Sequence, residues 1–296
     1  MSKLIGILVL FFTTASMADS VSLHLFRSPK GINWKSPWTM TYSTLKNAIA
    51  NTHGMRAYGI SHVFVEVKCD STGEHIYRGQ TSTDDSNERE LIFKQKYGLG
   101  VMFANYKGKY ETDEGIIRDM APYEGSHRRG TYTALINPAT CQRMLQYERE
   151  YVERGYGNMY SGLQADPLKG EGTGCSAFGM SFMRVGGLVE GYTDEFKQII
   201  DVPKRFIGGP LTGNKVNILK ILSRPAAKWS SKNPHIHLEA WDPEQMLRWV
   251  QKTHDLIEGG GKLEGYDITV DRIQDQKNVT VDLTDRATPV GTPWLI

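Results

Sequence analysis

One stretch of nine residues constrains this chain most: Ser61-His62-Val63-Phe64-Val65-Glu66-Val67-Lys68-Cys69. Successive side chains of an extended chain point to opposite sides, so valine at every second position gives a strand with one aliphatic face. Val63, Val65 and Val67 are committed to a core, while His62, Phe64 and Glu66 face the other way. Asp70-Ser71-Thr72-Gly73 is a turn signal, and Glu74 to Thr81 returns as the second arm of a hairpin.

Around that hairpin the pattern alternates between strand and helix. Val21 to Phe26 reads as a short strand. Thr41 to Thr52 reads as a helix capped by Thr41 or Ser43, with Leu45, Ala48 and Ile49 as its apolar stripe and Gly54 as its stop. The acidic stretch from Asp84 to Glu90 is a solvated loop, and Leu99 to Tyr106 and Gly130 to Ile136 are further strands. Asn137-Pro138 opens a helix, because Asn caps well and Pro suits the first helical position. Cys141, Met144, Leu145, Tyr151 and Val152 lie along one side of it, and Gly155 stops it. A glycine-rich loop then runs from Tyr156 to Gly174. After Val185 come strand, loop and helix again, with Asp242-Pro243-Glu244-Gln245 capping a helix that Gly259-Gly260-Gly261 ends. The tail from Tyr266 reads as extended.

The chain has 296 residues, 40% hydrophobic and 23% charged, which is enough apolar material for a sizeable core and too little charge for disorder. Its 35 Lys and Arg nearly balance 33 Asp and Glu, without the basic surplus expected of a dedicated nucleic-acid binder. Met1 to Ala18 has the form of a secretory signal: Lys3, the apolar run Leu4 to Phe12, and small residues at Ser16 and Ala18. That run is roughly half the ~20 residues of a bilayer span, so no permanent anchor is expected. The organisation expected is a signal at 1–18, a catalytic domain at 19–185, and a C-terminal extension at 186–296 packed on the same domain.

Export bears on the three cysteines. In an oxidising compartment two can pair and leave one reactive; Cys69 with Cys141 is one conceivable pair, and three free thiols is the other outcome. Cys175 has the most informative context, Gly172-Thr173-Gly174-Cys175-Ser176-Ala177-Phe178. With Thr173 or Gly174 as cap, Cys175 sits in a first helical turn, where free N–H groups and the helix dipole favour a thiolate. Phe178 and Phe182 would bury the helix and hold the thiol in place. A thiol nucleophile needs a base. Among eight histidines, His62 is best placed, fixed at the start of a rigid strand. Glu66 is about 13 Å along that strand, too far to orient the imidazole directly. The hairpin puts Gln80 or Thr81 opposite His62, so either is a candidate third residue.

The order of these parts resembles the circularly permuted branch of the NlpC-like papain superfamily. The matching residues are Ser61-His62-Val63, Tyr160 in the glycine-rich loop, and Cys175-Ser176-Ala177-Phe178. The match covers roughly residues 36–185. Many members carry Asn where this chain has Gly174, and the stretch from Thr83 to Thr131 is longer than a minimal version needs. The resemblance implies an α+β fold, an antiparallel sheet packed on a cysteine-bearing helix. It also implies hydrolysis or transfer of an acyl group at an amide, thioester or ester, without a cofactor. By analogy the substrate is a peptide amide, as in cell-wall peptide, met in the periplasm or outside the cell.

Other constellations compete. His235, His237 and Glu239 share one face of a strand and have the chemistry of metal ligands, but each successive pair is ~6–7 Å apart, so all three do not easily reach one ion. Ser126-His127-Arg128-Arg129 is a small basic turn. Gly208-Gly209-Pro210 lacks the strand, loop and helix context of a phosphate cradle. Trp229, Trp241 and Trp249 suit core packing or ligand stacking. The alternatives to a thiol enzyme are therefore a non-catalytic envelope binding protein on the same fold and a metal-dependent hydrolase using His235 and His237.

Overall fold

The computed structural model describes residues 18–51, 60–83 and 87–295. Apart from Ala18, the expected signal lies outside them, as do Thr52, the Gly54 helix stop and the start of the acidic stretch at Asp84. In chain order the first elements are β1 (Ser20–Phe26), α1 (Pro37–Asn51), β2 (His62–Cys69), β3 (Glu74–Ser82), α2 (Glu88–Phe93), β4 (Tyr106–Thr112), α3 (Asp113–Met120) and β5 (Arg129–Leu135). There follow α4 (Pro138–Glu153), β6 (Met159–Tyr160), α5 (Cys175–Val185), β7 (Lys197–Pro203), α6 (Ile218–Leu222), β8 (His235–Trp241), α7 (Pro243–Glu258), β9 (Asp267–Ile273) and β10 (Gln276–Asp282).

The architecture is α+β. Eight strands form one sheet in the order β6-β4-β3-β2-β1-β5-β10-β9, and β7 pairs with β8 in a second, two-stranded sheet. The large sheet is mixed rather than wholly antiparallel, because β10 runs parallel to β5. Parallel neighbours need a long crossover, and here the chain from α4 to β9 supplies it. No helix among the described residues is long and apolar enough to cross a membrane.

The valine pattern of β2 sets the core. Its register with β1 places Val63 opposite Leu25, Val65 opposite Leu23 and Val67 opposite Val21. These rows lie in the main hydrophobic cluster with residues of α4 and α5. Gly179 of α5 lets the helix approach closely, since a Cβ there would stand only 3.0 Å from Val63 Cγ1. The other face of β2 is covered as well near its start, by Phe26, Ile116, Met120 and Tyr123 around Phe64. His62 through Val65 are consequently all buried. The cover comes from α3, a helix that the sequence pattern did not signal.

Helix α4 begins as its cap requires: Asn137 accepts a hydrogen bond from the Thr140 N–H, and Pro138 takes the first position. Cys141, Met144, Leu145 and Tyr151 are buried along it, whereas Val152 is exposed. A Cys69–Cys141 disulfide joins the end of β2 to the first turn of α4, and Cys175 remains a free, buried thiol.

Three local expectations need correction. Helix α1 starts four residues early: Ser36 and Thr39 exchange backbone-to-hydroxyl hydrogen bonds and Pro37 opens the helix. Its buried positions include Met40, Thr41 and Asn47, and Ile49 of the expected stripe is exposed. Leu99–Phe103 is a 3-10 turn rather than a strand, and the strand begins at Tyr106. Gly100 packs so tightly on Gly208 that a Cβ would lie 2.1 Å from the Gly208 carbonyl oxygen, and Leu99 and Met102 sink into a second core cluster. The acidic stretch ends in α2 rather than in a loop, with Leu91 buried.

Beyond residue 186 the chain builds on the same sheet. Strands β9 and β10 extend its edge beyond β5, and α7 packs on β1, β5 and β10. Asp242 caps α7 by accepting from the Glu244 N–H, with Pro243 at the first position.

Candidate active site

Gly174 occupies the N-cap of α5 in an extended conformation and supplies no side-chain cap. The first N–H groups of the helix, beginning at Cys175, thus have no intrahelical partner. Phe178 and Phe182 are fully buried, their rings 5.3 Å apart, with Phe178 against Tyr110 and Tyr151 and Phe182 against Tyr147. These contacts fix the helix and, through it, the position of the thiol.

Cys175 is 4% exposed. Its sulfur lies 4.0 Å from the Ser61 carbonyl oxygen, and the neighbouring charge that acts on it most strongly is that of His62. The structure therefore brings Cys175 and His62 together at the start of β2. Burial opposes a thiolate here, but the charge of His62 above all outweighs it and holds the thiol below its ordinary pKa. For His62, burial alone would favour the neutral ring; the charges and hydrogen bonds of Cys175 and Glu111 reverse this and raise its pKa. The two shifts, Cys175 down and His62 up, each favour the charged form of the group.

The carboxylate beside the imidazole is Glu111 of β4, with Oε2 3.5 Å from His62 Nε2. It reaches there because of Gly79, its register partner on β3. A Cβ at Gly79 would meet the Phe64 ring at 2.7 Å and Glu111 Oε2 at 3.0 Å. Phe64 in turn braces His62 edge-on, ring centres 4.5 Å apart. Glycine inside a strand is itself a signal of close approach, and Gly79 is the mark through which Glu111 could have been sought.

Gln80 and Thr81 follow Gly79 on β3. Gln80 is fully buried, and its amide donates to the carbonyls of Gly157 and Met159, supporting the loop that leads to Tyr160. Thr81 pairs with Lys109 in the β3–β4 ladder. Tyr160 lies on β6, paired with Tyr106 of β4, and its hydroxyl oxygen is 3.5 Å from where a Cβ on Gly174 would stand. Burial first, then the nearby Cys175 charge, push the phenol well above its usual pKa, so it remains a neutral O–H beside the thiol.

The competing constellations have other partners. His237 Nδ1 is 2.8 Å from Asp201 Oδ1, His235 Nε2 is 3.7 Å from the same oxygen, and Glu239 pairs with Lys197 at 2.8 Å. Arg128 and Arg129 of the basic turn lie over the rings of Tyr123 and Phe26. Trp249 stacks on Tyr192 in the main core, whereas Trp229 belongs to the second cluster.

Compared with the known protein families, with the curated proteins and with the solved structures, the chain matches none.

Proposed function

We propose that the chain is an exported thiol hydrolase or acyltransferase of the permuted NlpC-like papain type, acting on an amide or ester bond through Cys175 and His62. One observation carries the reading: a free thiol at a helix N-terminus, beside a buried histidine that a carboxylate backs. The chain order also supports it, since the histidine strand β2 precedes the cysteine helix α5, the reverse of papain.

The chemistry follows from the charges. The Cys175 thiolate attacks the acyl carbon, and the carbonyl oxygen takes up negative charge at the free N–H groups of α5, the Cys175 N–H among them. His62 holds the proton as imidazolium and gives it to the leaving amine or alcohol. With Nε2 facing its carboxylate, Glu111 orients the ring and stabilises its charge. Water, or another acceptor nucleophile, then gives up a proton to His62 and releases the acyl group, regenerating the thiolate. A peptide substrate such as cell-wall peptide is the class the resemblance suggests. The Cys69–Cys141 disulfide supports export to an oxidising compartment.

The low exposure of Cys175 favours a second reading, a binding protein that keeps the fold without the activity. Alkylation with iodoacetamide separates the two. The enzyme reading expects Cys175 to react well below pH 8 and His62→Ala to abolish that reactivity. A wild-type Cys175 no more reactive than a model thiol, indifferent to His62→Ala, overturns it.

A further inference from the structure

Glu244 is a charged residue in the first turn of α7, only 6% exposed and remote in sequence from Cys175 and His62. Burying a carboxylate is costly unless it is well hydrogen-bonded. Here Oε1 alone accepts three hydrogen bonds: from Ser28 Oγ at 2.8 Å, Ser61 Oγ at 2.7 Å and the Ile32 N–H at 2.9 Å. Oε2 faces Arg27 Nε at 3.8 Å. Ser61 Oγ also accepts from the Ser28 N–H at 3.1 Å, closing a small network.

Ser61 immediately precedes His62, and its carbonyl oxygen lies 4.0 Å from the Cys175 sulfur. The same corner of the fold also holds the nucleophile helix: Ser176 Oγ donates to the Trp241 carbonyl at 2.8 Å, one residue before the α7 cap. The β8–α7 junction thus grips the residue before the histidine and the residue after the cysteine.

We infer that the junction from Trp241 to Glu244 sets the spacing of the Cys175–His62 pair, with Glu244 as a positioning residue acting through Ser61. This rests on the thiol-enzyme reading of the site. The C-terminal region, which carries no element of the resemblance, thereby acquires a part in the chemistry. Losing the Glu244 carboxylate leaves Ser61 and Ser28 without their shared acceptor and lets the start of β2 drift. The imidazolium then moves off the sulfur, and the Coulomb attraction that sustains the thiolate weakens.

The test is the pH profile of iodoacetamide alkylation at Cys175, read by peptide mass in the full chain. Glu244→Ala is expected to raise the midpoint by about one pH unit and slow reaction at pH 6 about tenfold. Glu244→Gln retains an acceptor at Oε1 and is expected to stay within about threefold of wild type. A folded Glu244→Ala protein that melts earlier but alkylates with the wild-type midpoint overturns the inference, since a purely structural role predicts that result. If Glu244→Ala does not fold, Ser61→Ala leaves Glu244 with its Ser28 and Ile32 donors; a raised midpoint supports the inference and an unchanged one overturns it. Failure of the underlying reading is distinguishable: His62→Ala would then leave the profile unchanged too.

Discussion

Strand β2 carries two histidine–carboxylate groups on one face, and they differ in kind. At its start, His62 stands between the Cys175 thiol and Glu111. Four residues on, Glu66 accepts from His24 and His75, both at 2.7 Å, and from the Tyr77 hydroxyl at 2.9 Å. Burial would raise the Glu66 pKa, but these donors together bring it down to about 2. Three donors surround one acid there, and the charge is simply satisfied. At His62 the base stands beside a thiol whose pKa is held down against the cost of burial, and a helix N-terminus adjoins the sulfur. A histidine beside a carboxylate is ordinarily a stability device. It acquires chemical meaning when a nucleophile at a favourable potential is the third member.

The largest expected difference between the two groups lies in the thiol. Without His62, burial above all, and the Glu111 charge with it, press the Cys175 pKa upward, with only the Val63 backbone opposing them. His62→Ala should slow alkylation at pH 6 by roughly 100-fold or more, as the thiolate fraction falls. His75→Ala, at the other group, should leave the rate within twofold or so, because it touches neither the sulfur nor its partners.

The converse holds for stability. The Glu66 carboxylate is held below its unfolded pKa, so its contribution is present in full above that pKa and is lost as pH falls from about 4.5 toward about 2. Glu66→Gln should lower unfolding free energy by about 2 kcal/mol at pH 7, and the gap to wild type should close near pH 2. Urea melts at several pH values measure this. A gap that does not change with pH would mean that Glu66 acts through packing rather than charge. Alkylation of Cys175 should be unaffected.

Glu111 gives a smaller and more specific effect, because its charge raises the pKa of both partners, favouring the charged form of His62 and opposing that of Cys175. Glu111→Gln should therefore lower the pH at which the imidazolium loses its proton by about one unit, without raising the pH at which the thiolate forms. The His62 ring proton resonances, followed by NMR against pH, report the first directly. An unmoved midpoint would remove Glu111 from the site.

How much of this was legible follows from the range of each interaction. The alternation at Val63, Val65 and Val67 and the glycine-capped helix at Cys175 are local patterns, and both elements stand where those patterns put them. Glu111 is not local: it comes from two strands beyond His62, and its strand was sought at Leu99–Tyr106 instead of Tyr106–Thr112. The apolar residues that suggested a strand there serve a tight turn against Gly208, while the true strand is polar and half exposed. Likewise α3, which covers Phe64 from the far side, follows β4 directly and shows no turn signal. The parallel pairing of β10 with β5 depends on contacts almost 150 residues apart, beyond the reach of any window of sequence.

A third histidine group sharpens the comparison from the exposed side. His237 and Asp201 have a short contact, 2.8 Å, as close as those around Glu66. The difference is solvent: the His237 side chain is 59% exposed, so water screens the pair and competes for both partners. His237→Ala should change unfolding free energy by no more than about 0.5 kcal/mol at pH 7, with Cys175 alkylation unchanged. Distance alone would rank this pair with Glu66, whereas burial ranks it well below. Destabilisation as large as that of Glu66→Gln would show that burial is not what separates the groups, and that His237 takes part in something beyond its contact with Asp201.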